Sequence, residues 1–222
     1  MASWLALNGV LLLVTYLLGS FPSGYLAGKL LQGIDIREHG SGSTGATNVL
    51  RTLGKGPAIV VLAIDILKGS LAVALVYLAY SLPTFTQTAP PSVIPVNWLP
   101  WLAVLSGLSA LLGHSKSIWL NFTGGKSVAT GLGVLLTLDW QVGLATLAVF
   151  GLVIALSRIV SMSSIAAAIA VAILMLITAR PLPYQLFAMV GGAYVIWRHR
   201  TNIQRLIAGT EPKLGQKAVT SD

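Results

Sequence analysis

The feature that most constrains this chain is a series of apolar runs long enough to cross the hydrocarbon core of a bilayer. Six are easy to place, near residues 4–27, 56–80, 98–113, 142–157, 163–179 and 184–197. A core about 30 Å thick asks for roughly 20 helical residues at about 1.5 Å each. Composition agrees, since 9% of the 222 residues are charged and 55% are hydrophobic. A soluble domain of this size carries roughly a quarter charged residues. The chain therefore reads as an all-α, polytopic integral membrane protein. The start, Met-Ala-Ser-Trp, lacks the basic segment and small-residue cleavage site of a signal peptide, so the first run is expected to stay as a permanent helix. The chain has no cysteine, which rules out a disulfide framework, thiolate catalysis and cysteine-ligated metals. Residues 82–100 hold five prolines and no charge, which suits a surface loop and not a helix.

A seventh span comes from the charges. Residues 127–139 are apolar, but the core from Val128 to Leu138 gives only about 17 Å of helix. Lys116 and Lys126 precede it, and Arg158 follows the next run. Basic residues mark cytoplasmic loops, so an even number of crossings must separate them. The short segment is then the fourth of seven spans, helped by tilt or local thinning. With the N-terminus outside and the C-terminus cytoplasmic, Lys29, Arg37, Arg51, Lys55, Lys116, Lys126, Arg158, Arg198, Arg200, Arg205, Lys213 and Lys217 share the cytoplasmic face. Those are twelve of the fourteen basic residues. Arg180 falls outside, and Lys68 lies in the second span beside Asp65. Either charge costs roughly 2.5–3.5 kcal/mol at mid-membrane, so the two should pair or face the bundle interior.

Topology alone does not explain the polar residues that accompany these charges. "GSGSTGATNVLR", residues 40–51, mixes glycines with hydroxyls and an amide between two apolar runs. Glycines let backbone N–H groups turn toward a ligand, and such a nest suits phosphate. A helix beginning near Thr47 or Asn48 would add its unpaired N–H groups, with Arg51 about one turn in. The bland reading is a flexible turn that caps a helix. "GHSKSIWLNFTGGKSVATG", residues 113–131, ends like a P-loop, but Leu120 stands where a Walker A motif needs glycine. An ATPase is excluded, while glycines, Lys126 and hydroxyls still suit an anion. In "SRIVSMSSI", Ser163 or Ser164 would cap the sixth membrane helix. In "RHRTNIQRLIAGTE", His199 and Asn202 share a helical face. His199 could act as a base or donate a hydrogen bond, while Arg198, Arg205 and Lys213 would suit anionic lipid headgroups. No carboxylate or histidine cluster marks a metal site. Three anion-suited loops on one face point to an enzyme with phosphorylated substrates and a lipid product.

The residues also resemble a known family, the bacterial acyl-phosphate:glycerol-3-phosphate acyltransferases of the PlsY type. The resemblance is carried by residues 19–69, by "GHSKSIWLNFTGGKSVAT" and by "RHRTNIQRLIAGTE". It implies a seven-helix membrane bundle in the bacterial plasma membrane, with a cytoplasmic active site. The implied reaction moves a fatty acyl group from acyl phosphate to the 1-hydroxyl of glycerol 3-phosphate, giving lysophosphatidic acid and phosphate. By motif, Arg51, Lys126, Ser164, His199 and Asn202 would bind glycerol 3-phosphate, with His199 as base or orienting group. Ser41, Gly42, Thr47 and Asn48 would hold the acyl-phosphate head. No cofactor, metal or nucleic acid is implied, membrane lipids are the surroundings, and a monomer is expected. Two positions depart from the pattern: Ser43 stands where the family usually has asparagine, and Ser127 where it often has glycine. The rival readings are a transporter for a phosphorylated solute, and an enzyme that takes its acyl group from acyl-CoA.

Overall fold

The computed structural model describes residues 1–215, so Lys217 lies outside the described residues. Among these there is no β-strand, and the fold is built from α-helices. In chain order they are α1 (Ala2–Ser20), α2 (Ser23–Gln32), α3 (Ala46–Thr52), α4 (Lys55–Ser81), α5 (Pro83–Thr86), α6 (Pro95–Ser115), α7 (Val128–Leu138), α8 (Trp140–Ser157), α9 (Val160–Ile177), α10 (Leu182–Arg198) and α11 (Arg200–Ile207). Five stretches are long and apolar enough to cross a membrane: 2–32 taken across the α1–α2 junction, α4, α6, α8 and α9. The outer faces agree, because Leu30, Leu156 and Ile177 stand mostly exposed. A soluble fold would not leave so much large apolar surface uncovered. The chain is a multi-pass membrane protein.

The two remaining expected spans are the short ones. Helix α7 has 11 residues and α10 has 17, or about 17 Å and about 26 Å. The first run is not one straight helix either. Pro22 lacks an N–H and disfavours helical backbone in the residue before it, so α1 stops and α2 starts afresh at Ser23. The expected 82–100 loop needs a larger correction. It is confined to the segment before Pro95, apart from the four-residue α5. Pro95 sits at the first turn of α6, where a missing N–H costs nothing, and Pro100 lies inside the helix.

Helices pack closely where side chains are small. Helix α4 meets α7 through Gly69 and Gly133. A Cβ on Gly69 would lie 2.1 Å from the Thr130 carbonyl oxygen, and one on Gly133 1.9 Å from that of Ile66. Lipid offers helices no hydrophobic drive to associate, so such contact-distance packing supplies the attraction. The main core joins Val73, Val76, Val104, Val134, Val171 and Met175 from α4, α6, α7 and α9. A second cluster of Ile36, Val49, Ala58 and Val61 pins residues 36–52 onto α4. The Gly-rich stretch is thus anchored at both ends and does not hang free.

The polar loops gather at one end of the bundle. Arg37 donates to the Leu120 carbonyl and to Thr123, Arg198 to Gly124 and Gly125, and Ser161 to Glu211, while the Leu214 N–H reaches the Arg158 carbonyl. Arg180 lies elsewhere, paired with Asp139, which caps α8.

Candidate active site

A cavity of about 470 Å³ opens among these loops. Ser41, Thr47, Asn48, Arg51, Lys126, Ser164, His199 and Asn202 all line it. Of the residues expected at the site, Gly42 alone does not. It sits in an exposed turn with positive φ, its N–H bonded to the His39 carbonyl.

Not every polar group that lines the cavity is available to a ligand. Asn48 is 1% exposed. Its amide nitrogen donates to the carbonyls of Ile36, His39 and Ser43, and its oxygen accepts the Ser41 N–H. It staples the Gly-rich loop and has nothing left for an anion. Ser43, one of the two departures from the family pattern, accepts the Gly45 N–H through its hydroxyl. That is the local turn an asparagine would also make. Helix α3 starts at Ala46 with Gly45 as its cap, so Thr47 lies in its first turn as expected.

The expected capping role of Ser163 and Ser164 is wrong. Helix α9 begins at Val160, capped by Ile159. Both serines sit inside it and donate to the carbonyls four residues back, Ile159 and Val160. A hydroxyl flanked by helical backbone takes that bond readily. To donate to a substrate, Ser164 must turn away from Val160.

The cations divide in the same way. Lys126 donates to the Asn202 amide oxygen at 2.5 Å. Burial, together with the nearby Arg205, Arg51 and Arg198, brings its ammonium down to about 8, against the opposing pull of Glu211. Arg51 is half-buried and makes no hydrogen bond or ion pair among the described residues. Burial is what pushes its pKa below the ordinary value. An unspent guanidinium on a cavity wall is a strong feature for binding a phosphate.

His199 is 3% exposed. Burial pushes its imidazole down to about 4, and Lys126 and Arg198 add repulsion. It is therefore neutral at physiological pH. Its Nδ1 lies 2.8 Å from the Val195 carbonyl. A carbonyl only accepts, so Nδ1 carries the hydrogen and Nε2 is left as an acceptor.

Sequence reasoning gave Glu211 no role, although it closed the last motif. It is buried and accepts from Ser161 at 2.8 Å, Asn202 at 2.5 Å and Arg205 at 2.7 Å. Burial pushes its carboxyl up, but those three hydrogen bonds outweigh burial and hold it below the usual carboxylate value. A signal was present, because Glu211 is the lone carboxylate of a strongly basic tail segment. Asp65 and Lys68 do pair, at 2.8 Å in the interior, as their position in a span required.

Beyond the polar head, the cavity wall turns apolar. Leu62, Ile66, Leu132, Leu135, Leu147, Phe150, Val171 and Phe187 continue it between α4, α7, α8, α9 and α10. A membrane-embedded helical bundle whose cavity wall runs from the unspent Arg51 and the Lys126 ammonium to bare hydrocarbon suits an amphiphilic, phosphate-bearing ligand. Comparison with known proteins narrows that class. A sequence profile for glycerol-3-phosphate acyltransferase matches residues 9–209. A glycerol-3-phosphate acyltransferase of Acaryochloris marina is 64% identical over 223 residues, covering 100% of this chain and 99% of that one. One from a Nostoc species is 63% identical over 220 residues, covering 99% and 97%. Among solved structures, the glycerol 3-phosphate form of PlsY, an integral membrane glycerol 3-phosphate acyltransferase, superposes with a TM-score of 0.81. It is 35% identical and covers 94% of this chain and 96% of that one. Its lysophosphatidic acid form gives 0.78. The chain belongs to the glycerol-3-phosphate acyltransferase family.

Proposed function

We propose that this chain transfers a fatty acyl group from acyl phosphate to the 1-hydroxyl of glycerol 3-phosphate, releasing lysophosphatidic acid and phosphate. Acylation of glycerol 3-phosphate follows from membership of the family. The donor and the roles of residues are read from the site. One observation carries the reading: a single cavity joins the unspent Arg51 and the Lys126 ammonium to an apolar passage. Glycerol 3-phosphate takes Arg51 and Lys126, with Asn202 fixing the lysine. The donor's chain takes the passage, and its phosphate lies beside Thr47 and Ser41.

An acyl phosphate is already activated, because phosphate leaves readily. The protein has mainly to bring two anions together in attack geometry, and cations do that. They also stabilise the oxyanion that forms and the phosphate that departs. The acceptor hydroxyl donates to His199 Nε2, which orients it. With its pKa near 4, His199 is a weak base, so a phosphate oxygen of the substrate takes the proton in the end.

The domain is a single seven-span unit with α7 as the short fourth span and α10 as the seventh. Its N-terminus is outside, and its site faces the cytoplasm at the bacterial inner membrane. The clustering of basic loops at one end supports that orientation. Because the natural chain has no cysteine, single cysteines introduced at Thr88 and at Lys116 would report sidedness to an impermeant thiol reagent. Labelling of both from the same side would refute the topology. For the reaction, purified protein in detergent receives labelled glycerol 3-phosphate with either acyl phosphate or acyl-CoA. Lysophosphatidic acid from acyl phosphate alone is expected. Product from acyl-CoA, or uptake of solute by liposomes without any product, would overturn the assignment.

A further inference from the structure

Two buried groups on the cavity wall, Asp65 and His114, have no task in the reaction as read above. Asp65 lies 2.8 Å from the Lys68 ammonium, accepts the Ser23 hydroxyl at 2.7 Å, and stands 3.5 Å from His114 Nδ1. Lys68 also donates to the Phe21 carbonyl, at the break between α1 and α2. The network ends on the His114 ring, which presses on Gly125: a Cβ there would lie 2.1 Å from Nε2. The Gly125 N–H donates to the His114 carbonyl at 3.2 Å. A Cβ on Gly124 would meet that same oxygen at 2.2 Å. Arg198 also donates to the carbonyls of Gly124 at 3.2 Å and Gly125 at 2.9 Å. The next residue is Lys126, and Ser127 after it is tied to the Leu111 carbonyl. Two glycines are thus held by contacts with a histidine and an arginine, one peptide before the cation on the cavity wall.

We propose that Asp65, His114 and Arg198 are positioning residues: they hold the Gly124–Gly125 strap and so set where the Lys126 ammonium meets glycerol 3-phosphate. This rests on reading Lys126 as a phosphate ligand. A lysine is a point charge on a flexible stem, so its backbone anchor decides where it can reach. Misplacement by about 1 Å is enough to cost a large factor in binding or rate. Asp65 acts at one remove, through its 3.5 Å approach to the ring that supports the strap. The charge of Arg198 is spent on carbonyls, so it acts on the strap and not on lipid headgroups.

The test is a set of kinetic cycles with glycerol 3-phosphate and acyl phosphate, using Arg198→Lys, His114→Gln, Asp65→Asn and Lys126→Ala, each singly. The first three are also combined with Lys126→Ala. Each positioning variant should raise KM for glycerol 3-phosphate about 5- to 20-fold, and change KM for acyl phosphate less than about twofold. In the Lys126→Ala background the same changes should add less than about twofold, because the group they position is gone. Full, multiplicative penalties in that background, or unchanged KM in the single variants, would overturn the proposal. An unchanged KM in Lys126→Ala alone would instead remove Lys126 from the site, and the proposal with it. Arg198→Lys, at the half-exposed end of α10, keeps the test decisive if a buried variant fails to fold.

Discussion

Glu211→Gln tests the site's architecture most directly, because the substitution keeps the volume while removing the charge and turning one acceptor oxygen into a donor. Glu211 is 7% exposed and accepts three hydrogen bonds, from Ser161, Asn202 and Arg205. Bonds to a charged acceptor contribute about 1.5–3 kcal/mol, and neutral ones about 0.5–1.5 kcal/mol. The Ser161 and Asn202 bonds should therefore weaken by about 1 kcal/mol each. The Arg205 side chain is 39% exposed, so solvent screens its ion pair to about 1 kcal/mol or less. The sum is about 3 kcal/mol, or roughly 6–12 °C in the thermal transition for a chain of this size. A functional effect accompanies it. Asn202 gives its amide nitrogen to Glu211 and is thereby held with its oxygen toward Lys126. Glutamine offers both a donor and an acceptor, so either amide orientation of Asn202 becomes acceptable. KM for glycerol 3-phosphate should rise several-fold while acyl-phosphate KM stays put. Because the folded carboxyl lies below its unfolded value of 4.5, its stabilisation is present above pH 4.5 and lost as pH falls through the folded pKa. The variant should lack that acid-side decline. Thermal unfolding in detergent at several pH values, with steady-state kinetics, measures all three effects. A transition within about 2 °C of wild type together with an unchanged KM would refute the network's importance.

Three further outcomes follow from single groups. With Lys126 near 8, KM for glycerol 3-phosphate should be flat up to neutral pH and rise above pH 8 as the ammonium loses its proton. Lys126→Arg, charged throughout, should remove that upward limb in a pH series of KM. Ser127 holds a left-handed backbone, φ 62°, and its hydroxyl donates to the Leu111 carbonyl at 2.7 Å. Ser127→Gly relieves strain of about 1 kcal/mol and loses a bond of similar size, so it should be nearly neutral. Ser127→Ala keeps the strain, loses the bond, and should unfold at lower temperature than the glycine variant; the reverse order would sink this account. Gly133→Ala places a methyl 1.9 Å from the Ile66 carbonyl, which forces α4 and α7 apart. It should cost about 2 kcal/mol or more, seen as a lower transition temperature and a poorly packed cavity wall.

How much was legible in the sequence depended on whether a residue's partner was near in the chain or implied by chemistry. Apolar runs announced the bundle, because length and hydropathy are local. The Asp65–Lys68 pair was legible for a different reason: two opposite charges in one span have few alternatives. Asn48 was misjudged because an amide beside glycines looks like a ligand donor. Only the fold shows its amide already engaged in four hydrogen bonds with backbone from residues 36–43. Ser163 and Ser164 were read as caps because serine favours that position, yet the helix starts earlier, at Val160, and turns them into back-bonded interior residues. Glu211 escaped for want of a visible partner: Ser161 is fifty residues away, and contact across loops leaves no periodic trace. Arg198 looked like a lipid anchor because sequence shows a charge but not the carbonyls that occupy it.

That distinction between spent and unspent charge decides how the site works. Two phosphorylated molecules about 6 Å apart repel by about 3 kcal/mol per pair of unit charges at an effective dielectric near 20. The basic end of the bundle is over-supplied to offset this only if every cation is counted. Arg37 is committed to Asp35, Arg198 to the glycine carbonyls and Arg205 to Glu211. On the cavity wall itself, Arg51 remains unspent, and Lys126 is preset by Asn202 with ammonium hydrogens to spare. One unpaired fork and one fixed point charge suit a dianionic acceptor that must enter, be held and leave as a lipid. If both were locked, release of the product would be slow; if both were free, the acceptor hydroxyl would not find the acyl carbon reliably. On the proposed reading, fixing Lys126 through Asn202 while leaving Arg51 unpaired would divide holding from admitting, with residues drawn from three separate segments of the chain.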